Sequence, residues 1–133
     1  MVAIKSVAHF SIPVSDIGKS TRFYTEVVGC RHLMTVPRGD MVFLDAAGTC
    51  LILVKRPPPI NPVQDSHGGV HHAFAVPHDE YAAALDHLRA HGVEIVFEEG
   101  SAGRGAEWAA RLFPRPGRHR SRIHLTSYSG ARA

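Results

Sequence analysis

The stretch His9-Phe10-Ser11-Ile12-Pro13-Val14 has a counterpart later in the chain, His71-His72-Ala73-Phe74-Ala75-Val76. Each reads as a short strand that opens on histidine and reaches valine five positions on. A helix start follows each, at Ser15-Asp16 and at His78-Asp79, because short polar side chains accept the N–H groups that a first turn leaves unpaired. The first helix is expected from Ile17 to about Val28, with Phe23/Val27 and Tyr24/Val28 at i, i+4 spacing. The second is expected from Glu80 to about His91, with Tyr81, Leu85 and Leu88 on one face. Both stop at glycine, Gly29 and Gly92, the residue that best takes the left-handed turn after a helix. His9 to Gly29 is 20 steps and His71 to Gly92 is 21, so the chain is an internal repeat.

Three strand-like segments follow each glycine. In the first half they are about His32–Val36, Met41–Asp45 and Cys50–Lys55; in the second, about Glu94–Glu98, Glu107–Phe113 and Arg122–Ser127. Gly and Pro punctuate the breaks between them. A Pro-rich run, Arg56-Pro57-Pro58-Pro59-Ile60-Asn61-Pro62, is too stiff and polar for a core and joins the halves. The reading is therefore α+β: two tandem βαβββ modules, each with its helix on the convex face of a curved mixed sheet. Within one domain of 133 residues, module one covers about 5–56, the linker about 57–68 and module two about 69–128.

Composition excludes several classes. With 44% hydrophobic and 20% charged residues the chain matches ordinary globular proteins. No apolar run approaches the ~20 residues of a membrane span, and Met1-Val2-Ala3-Ile4-Lys5 has no apolar leader, so a cytoplasmic protein without a membrane partner is expected. Cys30 and Cys50 lack metal-type spacing and are expected as reduced thiols. Much of the net charge of +3 comes from Arg111 to Arg122, between a Pro-Gly pair and a strand. A nucleic-acid surface wants basic residues along a helix face or interleaved with aromatics, so this run reads as a solvated loop.

Strand alternation sorts the ten histidines. If Phe10, Ile12 and Val14 face the first helix, His9 and Ser11 face the other side of the sheet. If His72, Phe74 and Val76 face the second helix, His71 and Ala73 do not. In the last strand Ile123 and Leu125 go under the helix, leaving His124 and Thr126 opposite. Three imidazoles on rigid strands can hold a divalent ion and leave open positions for substrate. His72 reads as structural, and His32, His67, His78, His87, His91 and His119 as solvated.

At these residues the chain resembles a known family. Val7 to Asp16 with Phe23-Tyr24 and Val28-Gly29, then Val70 to Val76, then Ile123-His124-Leu125-Thr126, look like the three signatures of the vicinal-oxygen-chelate superfamily of glyoxalases, bleomycin-resistance proteins and extradiol dioxygenases. The resemblance implies one divalent metal ion (Zn, Mn, Fe or Ni), ligated at His9 and His71, and a homodimer with clefts built from both chains. The family's third ligand is a glutamate in the closing strand, where this chain has His124. Two histidines and a carboxylate form the facial triad of non-haem iron oxygenases, so its loss disfavours an extradiol dioxygenase. Glyoxalase I implies a further acid in the fourth strand; the matching place is taken as apolar Ile52, which disfavours that enzyme.

A second departure precedes His124. Where the family carries an Asp-Pro-Asp-Gly turn, this chain has Pro114-Arg115-Pro116-Gly117-Arg118. Read one nucleotide over in GC-rich codons, those five residues become Arg-Asp-Pro-Asp-Gly, so a short shift of reading frame is the hypothesis. Arg122, two before His124 on the same face, competes with it for the acid's place; if Arg122 occupies it, there is no metal site.

Two functions follow. One is a metal-dependent enzyme that chelates adjacent oxygens of a small substrate, with His9, His71 and His124 as ligands and Ser11 and Tyr24 as candidate substrate contacts. Tyr24 also fits a core position, and Glu107 and Asp45 lie near the expected cleft without either being fixed as a general base. The other is a metal-free drug- or metabolite-binding protein of the bleomycin-resistance type. Loss of the carboxylate suits the second; three histidines on one face suit the first.

Overall fold

The computed structural model describes residues 1–57, 72–100, 108–114 and 123–128, with side chains described through residue 95. The chain divides into two compact units, residues 1–60 and 61–133. The first contains β1 (His9–Val14), α1 (Ile17–Arg22), a π-helical turn (Phe23–Val27), β2 (Arg31–Thr35), β3 (Met41–Ala46) and β4 (Thr49–Lys55). The second contains β5 (His72–Pro77), a 3-10 turn (His78–Glu80), α2 (Tyr81–Ala90), β6 (Val93–Gly100), β7 (Trp108–Pro114) and β8 (Ile123–Tyr128).

Both sheets have the same order, β1-β4-β3-β2 and β5-β8-β7-β6. The first strand of each unit pairs parallel with the last, and the other pairs are antiparallel, so each sheet is mixed. A parallel neighbour needs a long connection, and the helix and meander supply it. Each unit is thus a βαβββ module, and the expected strands are found to within two residues.

Alternation decides which face is covered. On β1, Ile12 and Val14 are buried while His9, Ser11 and Pro13 are exposed. With fully buried Leu44, Leu51 and Leu53 they form a core against which α1 packs. Each such leucine contributes roughly 1.5–3 kcal/mol by leaving water. On β5 the half-buried His72, Phe74 and Val76 alternate with exposed Ala73 and Ala75, and Tyr81, Leu85 and Leu88 of α2 are buried.

Two local expectations are corrected. The first helix does not continue as α-helix to Val28: it widens at Phe23–Val27, where the Val28 N–H donates to the Phe23 carbonyl at 3.1 Å. Thr21 and Thr25 donate their hydroxyls back to the carbonyls of Ile17 and Thr21, which loosens the regular ladder here. Gly29, at φ 87°, then turns the chain out. In the second unit Asp79 caps nothing: proline at position 77 has no side-chain acceptor, and a 3-10 turn closed by the Tyr81 N–H on the His78 carbonyl leads into α2. Asp16 does cap α1, its Oδ1 accepting from the Lys19 N–H at 2.9 Å.

Candidate functional site

The face of the first sheet opposite α1 carries His9, Ser11 and Asp45. Residues paired across a sheet point to the same side, so the register reads out rows. One row is His9 on β1, Cys50 on β4, Asp45 on β3 and Arg31 on β2. The next is Ser11, Ile52, Phe43 and Met34. A polar row therefore lies beside a largely apolar floor, in which Ile52 is 8% exposed and Met34 49%. A bulge between His32 and Met34 on β2 leaves Leu33 unpaired and exposed.

Asp45 and Arg31 hold one end of the polar row. Arg31 donates to Asp45 Oδ2 at 3.0 Å, and the Gly48 N–H donates to Oδ1 at 2.7 Å. The Gly48 amide, then the Arg31 guanidinium, keep the Asp45 carboxyl below the usual carboxylate range. With both oxygens engaged, Asp45 is an anchor for the β3–β4 hairpin. It does not supply the general base considered from the sequence.

His9 and Ser11 are exposed on the open face. Tyr24 is not there: it is 3% exposed in the core on the helix side, edge-on to Phe23 at 5.3 Å, which corrects its place as a candidate substrate contact. Burial raises its hydroxyl pKa well above the usual tyrosine value. His124 lies on β8 in register with Ala73 of β5 and Arg111 of β7, the position in the second sheet that Ile52 holds in the first. His71, Glu107, Arg122, His67 and His119 lie outside the described residues, as does the Pro-rich linker from position 58. His32 is exposed with Nε2 2.9 Å from Thr35 Oγ1, and the rings of His87 and His91 pair at 4.2 Å on α2. Among the described residues no group of three or more His, Cys, Asp or Glu is disposed around a metal position.

Sequence reasoning missed one neighbour. It took Ile52 as the fourth-strand place of interest, but Ile52 is in register with Ser11; the residue beside His9 is Cys50. The two-residue turn at Ala47-Gly48 sets Asp45 opposite Cys50 and was readable. The β1–β4 register, which crosses the whole module, carried no local signal.

Residues 6–121 match the family model of the Glyoxalase/Bleomycin resistance protein/Dioxygenase superfamily, and the chain belongs to that family. It is 33% identical over 88 residues to the metallothiol transferase FosB of Lysinibacillus sphaericus (strain C3-41), a match covering 65% of this chain and 60% of that protein. The chain thus spans less than two thirds of that curated relative. Among solved structures, the fosfomycin resistance protein FosX of Listeria monocytogenes superposes with a TM-score of 0.73 at 17% identity, covering 94% of each chain. Lactoylglutathione lyase of Agrobacterium tumefaciens gives 0.71 at 14% identity, covering 94% of this chain and 95% of that one. These likenesses show the fold. FosX has also been crystallised, as a variant, with Mn(II) and 1S,2S-dihydroxypropylphosphonic acid.

Proposed function

We propose that this protein is a metal-dependent enzyme acting on a small molecule with adjacent oxygen atoms, and that His9, His71 and His124 are its protein ligands. The carrying observation is that a histidine on the open face at the head of β1 is matched, in the repeat, by one immediately before β5. Imidazole nitrogens suit zinc, iron and nickel, with manganese a weaker match. When bound, the ion supplies Lewis acidity toward the substrate's oxygens.

The chain's own residues do the rest. Ser11, next on the same face, offers a hydroxyl to a substrate oxygen. The Ile52–Phe43–Met34 floor displaces water from the substrate's apolar part. The names of FosB and FosX make a small phosphonate, with a thiol or water as second reactant, the first substrate to try. We assign one domain with modules at about 5–56 and 69–128, a homodimer, and a cytoplasmic location. No helix among the described residues is long and apolar enough to cross a membrane.

The test is metal content of untagged protein by elemental mass spectrometry, beside His9→Ala and His124→Ala. About one equivalent in the wild type, lost in both variants, is expected. A His87→Ala/His91→Ala double variant should keep it, which separates the site from the exposed pair on α2. No metal after incubation with zinc, manganese or iron(II) would overturn the enzyme reading. It would favour a metal-free ligand-binding protein, the second reading, which the apolar floor beside His9 supports.

The gene's codons bear on the third ligand. If the hypothesised one-nucleotide shift that would turn residues 114–118 into Arg-Asp-Pro-Asp-Gly extended through Arg122-Ile123, it would also change the residue there. There CGA followed by an isoleucine codon reads GAA, glutamate. Codons compatible with both readings are expected; a codon set that cannot give them removes the shift and leaves His124 and Arg122 as the competing residues.

A further inference from the structure

The last turns of α2 carry two histidines that the proposed function leaves out. His87 and His91 are both exposed, and their ring centroids lie 4.2 Å apart with the planes tilted by 42°. At about 100° per residue, positions four apart fall about 40° apart around a helix, so both rings rise from one side. Two histidines at this spacing on one helix face can bind a single divalent ion together.

The surroundings favour an ion there. His91 Nδ1 stands 2.8 Å from the His87 carbonyl oxygen. A carbonyl accepts and cannot donate, so Nδ1 carries the hydrogen and the lone pair of the neutral ring is on Nε2. Ligating histidines are commonly oriented in this way, one nitrogen bonded to a backbone carbonyl and the other turned to the metal. The pair also stands at the C-terminal end of α2, where the helix carbonyls favour a cation. The neighbouring cation is compensated: Arg89 donates to Asp86 Oδ1 at 3.1 Å. Position 89 also lies about 160° around the helix from both rings.

We propose that His87 and His91 chelate a divalent ion at the end of α2, copper(II) in preference to zinc, with water in the remaining positions. The site is separate from the sheet histidines and does not rest on the metal-dependent reading above. Imidazole suits copper, nickel and zinc, and copper heads the divalent series. Bonds of about 2.0 Å to nitrogen place two adjacent donors roughly 3 Å apart. Exposed rings already in contact reach that spacing by turning about their side-chain bonds. An ion held by two side chains leaves more readily than one held by three, so it is lost on purification and adds nothing to the equivalent expected at the sheet site.

Copper itself is the probe. Chelator-treated protein is titrated with copper(II), and bound copper is followed by equilibrium dialysis and electron paramagnetic resonance. Wild type, His91→Ala, His87→Ala/His91→Ala and His9→Ala are compared, with circular dichroism to confirm that each folds. Expected is a copper signal coupled to two nitrogens in wild type and His9→Ala, absent from the double variant. In His91→Ala the affinity should fall by at least about 10–100-fold, the range typical even of losing an outer-shell partner. Equal zinc should displace little of the copper. A wild type without the two-nitrogen signal, or a double variant that keeps it, overturns the proposal. A signal lost in His9→Ala and kept in the double variant assigns copper to the sheet histidines instead. Ready displacement by equal zinc overturns the preference for copper. Failure of the sheet site to hold metal leaves this pair standing.

Discussion

The two units share strand order, strand directions and the parallel closing pair, yet differ at their helix ends and in the length of the last connection. In the first, β3 and β4 join through two residues, Ala47 and Gly48, both at positive φ. In the second, eight residues separate Pro114 from Ile123, the ends of β7 and β8. The first helix begins on an aspartate cap and ends in a π turn; the second begins uncapped and stays regular through Ala90. Sheet topology therefore follows the apolar alternation that both units carry. The turns follow their own local chemistry.

Substitutions can break that comparison. The largest effect belongs to the shared part: Leu53→Ala, in a fully buried position, should destabilise the protein by about 2–5 kcal/mol in chemical denaturation. Leu85→Ala, 2% exposed on α2, should cost a similar amount. A loss under about 1 kcal/mol in either would mean that its unit does not depend on the core described. The caps come next. Asp16→Ala removes the acceptor for the Lys19 N–H and should cost about 0.5–2 kcal/mol. Asp79→Ala removes no cap and should stay within about 0.5 kcal/mol. Equal losses would erase the difference between the helix starts.

The hairpin gives a smaller effect of opposite sign. Ala47 holds φ 52°, where a Cβ is strained, so Ala47→Gly should stabilise by a few tenths to about 1 kcal/mol. A loss of stability would show that Ala47 makes a compensating contact. The smallest effect is on pH. Asp45 has its pKa lowered in the fold, so its contribution is present above the ordinary carboxylate value of 3.8 and is lost as pH falls through the depressed one. In acid titration Asp45→Asn should show a shallower decline below pH 3.8 than wild type. An unchanged slope would mean that the Gly48 and Arg31 contacts do not persist in solution.

Much of the architecture was legible because it was written twice. The His-to-Val strands, the apolar helix faces and the glycine stops repeat, and two independent copies of a weak pattern agree. The helix ends were less legible. Nothing in Phe23-Tyr24-Thr25-Glu26-Val27 distinguishes an α from a π ladder, and Asp79 has the composition of a cap without its geometry. At the site, alternation alone placed His9 and Ser11 on the open face. It could not place Tyr24, whose i, i+4 partners suit a core and whose hydroxyl suits a cleft; packing in the core decided. Cys50 escaped because its partner lies on the other side of a helix and two strands.

That distance has a consequence for the order of assembly. The β2–β3–β4 meander closes through short turns, and contacts local in sequence form fast. β1 must instead find Cys50 from His9, a separation of 41 residues, and it pairs with β4 alone at the edge of its sheet. It should be the last strand of its sheet to dock and the first to exchange its amide hydrogens. His9 would then meet its neighbours only as folding finishes, so an ion bound there would act as a clasp on the latest step.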